Sequence, residues 1–293
     1  MRPSAIVPII LSLGALVLSF LCLFAGSKTT FLANAPIITL NTSEFGSGAL
    51  NNSGSAAATL INDLPSGAQQ AVDNAINSVA RRLGLHEFYT ANLRTYCEGY
   101  YTPGPVPNAT LKAKNIHKQF TNCSKPVTFF QFNPKQVIQD ELNASGHSDI
   151  NISQLSWPTD IDRGLKAVHT SQKAAFVLYC IALGTIGLAT IFSIVSFCLN
   201  GRLSAFIMVM ICGLAFLAIG LASAVVTVVA IHGSRLINKY GNPVGLSSHW
   251  GVKYLAFSWA ATGAMVLCSL WWCADCLIGR RNQRARYVEK PNY

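Results

Sequence analysis

The chain has 293 residues, of which 51% are hydrophobic and 12% charged, whereas an ordinary soluble domain carries about 25% charged residues. The formal net charge is +10, but the excess lies beside apolar runs and in the C-terminal tail, so we expect no nucleic-acid partner. The composition excludes a typical soluble domain and indicates a membrane protein.

Four stretches lack Asp, Glu, Lys, Arg and His, and each is long enough for a helix to cross a hydrocarbon core of about 30 Å. They are residues 5–25, 174–199, 204–231 and 254–273. Backbone groups in lipid must satisfy one another, so these stretches should be helices. A signal peptide is the alternative for the first, but its apolar run is long and its cleavage site poor, which favours a retained span.

The predicted organisation is an all-α membrane protein, a four-transmembrane-helix bundle with helices over 5–26, 174–199, 204–231 and 253–278. Basic residues mark the cytosolic side: Arg2 flanks the first helix and Arg202 lies between the second and third. Residues 1–4, 200–203 and 279–293 are therefore predicted to be cytosolic, including both termini. Residues 27–173 form a large extracellular domain, and 232–252 form a second extracellular loop.

Glycosylation acceptors support the same topology. All six N-x-[S/T] sites lie within residues 27–173, and none follows Lys173. Such acceptors are used only on the outer side of a membrane. The candidates are Asn41, Asn51, Asn108, Asn143 and Asn151. Asn122 is the least favoured acceptor, because its middle residue is Cys123.

Within the outer domain, we predict a loop over 34–67 and a helix over 68–83, with Ser66 as N-cap and Gly84 as C-cap. This helix packs on its own domain or, alternatively, binds a partner. We predict a strand over 127–132 and a helix from Pro134 to Leu142 with Asn133 as N-cap. Residues 160–173 lead helically into the second span, and glycines punctuate turns in 232–252. The domain is therefore mixed α/β.

The nine cysteines divide by compartment. Cys97 and Cys123 are the only two in the outer domain, where disulfides persist, so we predict that they pair and staple it. Cys273 and Cys276 lie at the cytosolic end of the last span, and Cys198 at that of the second. Palmitoylation is one interpretation of these three residues, and packing of small apolar side chains within a helix is the other.

The tail is strongly basic, with a single acid, Glu289, among five basic residues. These are Arg280, Arg281, Arg284, Arg286 and Lys290. Contact with the anionic inner leaflet is one interpretation, because each basic residue near such a surface contributes about 1 kcal/mol. The other interpretation is that they only orient the last helix.

No catalytic, cofactor or metal site is predicted. The spans contain no internal carboxylate or histidine, and no phosphate loop or hydrolase motif is present. The outer histidines are scattered and are interpreted as surface residues: His86, His117, His147 and His169. Glu98, beside Cys97, is expected to support the fold by capping backbone N–H groups.

Several segments of the outer domain resemble the fungal SUR7/PalI family. They are Leu83-Gly-Leu-His-Glu-Phe-Tyr89, Asn92-Leu-Arg-Thr-Tyr-Cys-Glu-Gly99, Asn122-Cys123 and Phe129-Phe-Gln-Phe-Asn-Pro134. The four-span layout and the opening of the last span, from Gly251 to Ala260, are also similar. The family is distantly similar to claudins, but 92–96 lacks their tryptophan signature, so paracellular sealing is not implied.

The resemblance implies a non-enzymatic plasma-membrane organiser of fungal cortical domains (eisosomes), linked to cell-wall integrity, endocytosis and stress. Its expected partners are anionic inner-leaflet lipids, cortical membrane-domain proteins and further copies of the chain. The alternative is a PalI-like membrane component of ambient-pH signalling. PalI members usually carry a long cytosolic tail, and the fifteen or so residues after the last span favour the organiser.

Overall fold

The computed structural model of the chain describes residues 6–44, 79–82, 84–105, 115–146, 159–198, 202–242 and 245–288. The chain divides into two compact units. The helical unit comprises Met1–Leu23, Ala174–Val225 and Leu255–Tyr293. The sheet unit comprises Phe24–Lys173 and Val226–Tyr254.

Four long helices among the described residues contain stretches apolar enough to cross a membrane. They are α1 (Ile6–Phe24), α4 (Thr159–Cys198), α5 (Arg202–Gly241) and α6 (Val252–Val288). Small residues such as Ala15, Ala182 and Ala215 are buried, whereas Leu188 and Leu217 are at least half exposed. Such helices bury small residues at their contacts and present large aliphatic ones to lipid. The predicted membrane bundle fits these helices.

A hydroxyl network lies inside the helical unit. The Ser223 hydroxyl is 2.6 Å from that of Ser258 and 3.0 Å from that of Thr262. The Tyr179 hydroxyl also contacts Ser258. These residues are buried on three different helices, so each polar group finds a partner without water.

The sheet unit, in the part that the structure describes, is built on five antiparallel strands. They are β1 (Ile38–Asn41), β2 (Phe88–Ala91), β3 (Tyr96–Thr102), β4 (His117–Cys123) and β5 (Ser247–Trp250). Their spatial order is β4-β3-β2-β1-β5. The Asn238 side chain, near the end of α5, bonds both backbone groups of Ser248 on β5, at 2.6 and 2.9 Å. These two bonds satisfy the N–H and the carbonyl of one residue of β5, which is an edge strand of the sheet.

One face of the sheet packs against α3 (Pro134–Ala144). Leu40, Tyr89, Ile138 and Leu142 belong to the resulting core and are almost completely buried. Asn133 caps α3 by accepting a hydrogen bond from the Gln136 N–H at 3.3 Å, and Pro134 occupies the first turn. The predicted N-cap and the helix that follows it are therefore confirmed.

The backbone favours glycine at position 84 and requires it at position 251. The short helix α2 (Val79–Arg82) is followed by Gly84 with φ +74°, the left-handed conformation that favours glycine at a helix end. At Gly251, a Cβ atom would lie 1.6 Å from the Pro36 carbonyl oxygen. Glycine is therefore needed where the chain passes from β5 into α6, because its backbone runs against the segment before β1.

Three local predictions differ from the structure. Residues 127–132 form no strand, because Phe129 has φ +59° and breaks the extended backbone. The predicted loop over 34–67 contains β1, whose residues 38–40 are buried. Helix α5 continues beyond Ile231 to Gly241, so Gly233 is helical and not a turn. Most of the predicted helix over 68–83 lies outside the described residues.

Candidate functional site

Cys97 on β3 and Cys123 on β4 lie opposite each other, and their Sγ atoms are 2.03 Å apart, as in a disulfide bond. Cys97 is fully buried. Its carbonyl oxygen accepts a hydrogen bond from the Thr90 hydroxyl on β2 at 3.2 Å. The bond therefore joins the edge strand β4 to its neighbour β3.

Glu98 follows Cys97 on β3 and points to the opposite face of the sheet. There it meets His86, which precedes β2, and Glu141 on α3. One ligand atom from each of the three side chains lies within 4.8 Å of the other two. His86 Nδ1 is 3.0 Å from Glu141 Oε1. We call these three residues the His–Glu–Glu cluster.

Hydrogen bonds from neighbouring groups hold both carboxylates of the cluster in place. Glu141 Oε2 accepts from the His86 backbone N–H at 3.2 Å and from the Tyr89 hydroxyl. Glu98 Oε1 accepts from the Asn122 side-chain amide at 3.2 Å. These donors lie on β2, on β4 and in the segment before β2, so the sheet itself orients the cluster.

The cluster shifts the protonation of its members. Burial disfavours the charged imidazole, but the hydrogen bond to Glu141 and its negative charge prevail and raise the pKa of His86. Burial also opposes ionisation of Glu141, yet hydrogen bonds from His86 and Tyr89 lower its pKa. Burial raises the pKa of Glu98, with the charge of Glu141 adding to it and that of His86 opposing it. The cluster therefore favours an ionised His86–Glu141 pair beside a carboxyl that resists ionisation.

A second buried acid lies beside the cluster. Glu87 is fully buried; its Oε2 accepts from the Tyr101 backbone N–H at 2.7 Å, and its Oε1 is 3.4 Å from Arg81 Nε. The Arg81 guanidinium also lies 4.6 Å from the ring centre of Tyr100, and that ring lies 4.8 Å from the ring of His86. The backbone-capping role expected of Glu98 is thus performed by Glu87.

The sequence model of the SUR7/PalI family matches residues 4–271, from the start of the first apolar helix into the last. The chain belongs to the SUR7/PalI family. SUR7 family protein pun1 of Schizosaccharomyces pombe is 30% identical over 146 residues, which are 48% of this chain and 44% of that relative. The match therefore spans less than half of the relative's length. No solved structure matches the chain.

The SUR7/PalI resemblance seen in the sequence is confirmed, and the described parts of its segments 83–89, 92–99 and 129–134 converge in the sheet unit. Tyr96 lies near the rings of Phe130 and Phe132, with centroid distances of 6.1 and 6.0 Å. A Cβ on Gly99 would lie 2.1 Å from the Gln119 carbonyl oxygen. Tyr96 therefore packs β3 near the two phenylalanine rings, and Gly99 allows β3 to approach β4 closely.

The structure describes three of the acceptor asparagines in this SUR7/PalI protein. Asn143 is exposed on α3, and Asn122 is exposed but bonded to Glu98. Asn41 is half-buried on β1, and the hydroxyl of its neighbour Thr42 donates to the His86 carbonyl at 2.6 Å. Asn51, Asn108 and Asn151 lie outside the described residues.

The residues predicted to be acylated or to contact lipid in the SUR7/PalI chain lie at the end of α4, in the second half of α6 and after it. Cys273 and Cys276 are half-buried on α6. Cys198 is the last residue of α4, but its side chain is outside the described set. Helix α6 carries the tail's four arginines and ends at Val288, so Lys290 is not described. Their lipid contact and acylation stay predictions.

Our interpretation of His86 as a scattered surface residue was wrong, and Glu141 was missed. The His86 and Glu141 side chains are each 18% exposed. The sequence held one local signal that His86 is not a surface residue. His86 and Glu87 lie between the apolar residues Leu85 and Phe88, which are both fully buried. Polar residues enclosed by core residues need partners. Nothing local connects Glu141, which lies 55 residues further along the chain, to that segment.

Of the other outer histidines that the structure describes, neither His117 nor His169 belongs to the cluster. His169 Nε2 contacts the Phe132 carbonyl at 2.8 Å, and His117 is exposed on β4. His147 lies outside the described residues. Among these three histidines, His117 is therefore a surface residue, as interpreted from the sequence.

Proposed function

We propose that this protein is a non-enzymatic organiser of fungal cortical membrane domains of the eisosome type. In this role it supports cell-wall integrity, endocytosis and the stress response from the plasma membrane. The observation that carries the proposal is the family match over residues 4–271, which takes in both the apolar helices and the strands of the sheet unit. Function in such a protein lies in what its surfaces bind.

The architecture suits an organiser. The apolar helices expose large aliphatic side chains, among them Leu188, Leu217 and Leu270, as lipid-facing helices do. In this proposal the sheet unit faces the wall and partner proteins, both termini are cytosolic, and the basic tail contacts anionic lipid. Further copies of the chain and other cortical proteins associate with the helices laterally.

Localisation tests the proposal directly. A fluorescently tagged full-length chain should form immobile patches at the cell cortex. Cells from which the protein is deleted should show dispersed patch proteins and greater sensitivity to wall-damaging agents. Uniform membrane fluorescence, together with unchanged patches in the deletion strain, would reject the organiser.

Topology is tested separately. Glycosidase treatment should increase the gel mobility of the chain. Substitution of Asn143 by Gln should make this mobility shift smaller by one glycan, because Asn143 is exposed on α3. The matched control is Gln139→Ala on the same helix, which removes the hydrogen bond from Gln139 to Asn143 but keeps the acceptor. A loop that resists external protease in intact cells would place the sheet unit on the cytosolic side instead.

The second candidate is a PalI-like component of ambient-pH signalling. The His–Glu–Glu cluster favours it, because the pKa of His86 and that of Glu98 are both raised. A deletion strain with intact patches but no transcriptional response to alkaline medium would support this candidate over the organiser. In that strain background, His86→Gln should reproduce the deletion, whereas His117→Gln, which alters an exposed histidine of β4, should not.

A further inference from the structure

The His–Glu–Glu cluster holds more acid than base. Glu98 and Glu141 bring two carboxylates within reach of one imidazole, and the nearby Arg81 guanidinium pairs with a third acid, Glu87. The Glu98 residue is only 8% exposed, so water screens its charge poorly. Such an arrangement must take up a positive charge, which is either a proton or a metal cation.

We propose that His86, Glu98 and Glu141 bind a divalent transition-metal cation, Zn²⁺ by the chemistry of the donors. One nitrogen and two carboxylate donors are the ligand types that three-residue zinc sites use, with water completing the shell. Hard cations such as Ca²⁺ prefer six to eight oxygen donors, so the imidazole argues against them. Cysteine is not needed for this site.

The distances allow metal binding with small adjustments. Tetrahedral zinc with bonds of about 2.0–2.2 Å places its ligand atoms about 3.3 Å apart. His86 Nδ1 and Glu141 Oε1 are already 3.0 Å apart, and all three donor atoms lie within 4.8 Å. The proposal requires rotation of the Glu98 side chain to close the remaining distance.

Outer contacts already orient Glu141 as metal sites require, and Glu98 has a hydrogen-bond donor of its own. The Tyr89 hydroxyl and the His86 N–H both bond Glu141 Oε2, which leaves Oε1 toward the imidazole. The Asn122 amide holds Glu98 Oε1. Such outer hydrogen bonds fix ligand geometry and contribute strongly to affinity. The side chains of His86 and Glu141 are each 18% exposed, so an ion can enter from solvent.

Binding has a mechanical consequence. The three donors come from the segment before β2, from β3 and from α3. A bound ion would therefore fasten α3 to the sheet, as the disulfide fastens β4 to β3. The ion competes with the protons that the cluster holds, so its affinity falls as the medium becomes more acidic.

Cobalt titration tests the site on the full-length chain. The chain is purified in detergent, treated with chelator and titrated with Co²⁺, whose visible absorption reports nitrogen and oxygen ligands in a site of low coordination number. We expect one saturable site, displaced by Zn²⁺, and release of protons on binding. His86→Gln and Glu141→Gln should each weaken Co²⁺ binding by about 100-fold or more.

Two matched variants control for the loss of a histidine or an acid. His117→Gln changes an exposed histidine on β4, and Asp140→Asn an exposed acid next to Glu141 on α3. Both should leave the affinity unchanged. Retention of the Cys97–Cys123 disulfide in each variant shows that the sheet unit still folds. If His86→Gln does not fold, proton release and zinc-dependent thermal stabilisation of the unaltered chain still decide the question.

Three outcomes would overturn the proposal. The first is no saturable uptake and no zinc-dependent stabilisation, which would mean that the cluster takes up protons alone. The second is an affinity unchanged by both His86→Gln and Glu141→Gln. The third is thiolate-to-cobalt absorption that disappears with Cys273→Ser, which would place the ion at the cytosolic cysteines instead. Each outcome leaves the organiser proposal standing, because patch formation is measured independently.

Discussion

The Tyr89 hydroxyl on β2 donates a hydrogen bond to the Glu141 carboxylate on α3. The ring of Tyr89 is completely buried in the core between sheet and helix, and its hydroxyl reaches the His–Glu–Glu cluster at the edge of that core. One side chain thus contributes both to apolar packing and to the orientation of a charged group. The two contributions can be separated by substitution.

Tyr89→Phe keeps the ring and removes the hydroxyl. Because the acceptor is a charged carboxylate, we expect a loss of about 1.5–3 kcal/mol in the stability of the sheet unit. Tyr100→Phe, which keeps the ring beside that of His86, should cost less. Thermal unfolding followed by tryptophan fluorescence measures both, and equal losses would show that the Tyr89 hydrogen bond contributes nothing special.

The pH dependence of stability follows from the cluster, measured with chelator present. The raised pKa of His86 gives stability that is complete below the ordinary histidine value of about 6.5 and is lost as pH rises through the folded-state pKa. The pKa of Glu98 is also raised, so its contribution is complete below the ordinary glutamate value of about 4.3 and is lost as pH rises through the folded-state pKa. The lowered pKa of Glu141 gives stability above about 4.3 that is lost as pH falls through its folded-state pKa.

His86 and Glu141 therefore both contribute fully between about 4.3 and 6.5, and the Glu98 contribution moves the stability maximum toward the acidic end of this range. The sheet unit should be less stable at alkaline and at strongly acidic pH. His86→Gln should flatten the alkaline side of the profile of melting temperature against pH, whereas His117→Gln should leave it unchanged. A His86→Gln profile identical to that of the unaltered chain would contradict the assignment.

Removal of the disulfide should destabilise the sheet unit. Cys97→Ser is expected to cost about 2–5 kcal/mol and to retain the chain in the secretory pathway. Cys180→Ser is the matched control, because this cysteine forms no disulfide and is exposed on α4. Peptide mapping under non-reducing conditions identifies the bond, and recovery of Cys97 and Cys123 as free thiols from folded protein would disprove it.

The two glycines Gly251 and Gly263 provide a matched pair. A methyl group on Gly251 would meet the Pro36 carbonyl oxygen at 1.6 Å, whereas one on Gly263 of α6 meets no atom within 4 Å. We expect Gly251→Ala to cost about 1–3 kcal/mol or more through overpacking. Gly263→Ala should be neutral or slightly stabilising, because alanine has the higher helix propensity. Thermal stability and surface expression distinguish the two.

The tail can be tested without disturbing topology. Replacement of Arg284, Arg286 and Lys290 by Gln leaves Arg280 and Arg281 to orient the last helix. If the tail contacts anionic lipid, each charge contributes about 1 kcal/mol, so cortical clustering should weaken.

The control for the tail replaces three exposed lysines of the sheet unit, Lys28, Lys125 and Lys166, and should not affect clustering. Binding of a tail peptide to vesicles gives an independent measurement, and it should fall with added salt. A tail peptide that binds neutral and anionic vesicles equally would exclude lipid contact.

The membrane helices could be predicted from sequence, because a long run without charge has few other stable environments. Helix α3 could also be predicted, since its cap residues Asn133 and Pro134 are local signals. Strand β1 was missed because it is short and because it is stabilised by pairing with β2 and β5. Both of these strands lie too far along the sequence to appear in the same local window. The His–Glu–Glu cluster was missed for the same reason, since Glu98 and Glu141 meet only after the sheet and α3 have packed.

Strand β1 has one further consequence. Ile38 pairs with Ala91 on one side and with Trp250 on the other, so its second partner is synthesised only when most of the chain has been made. Contacts between such distant segments form late, since a long stretch of chain must first be closed into a loop. Until then β1 has an open edge in the compartment where the sheet unit folds. A chain truncated before residue 247 therefore lacks β5 and leaves that edge of β1 uncovered.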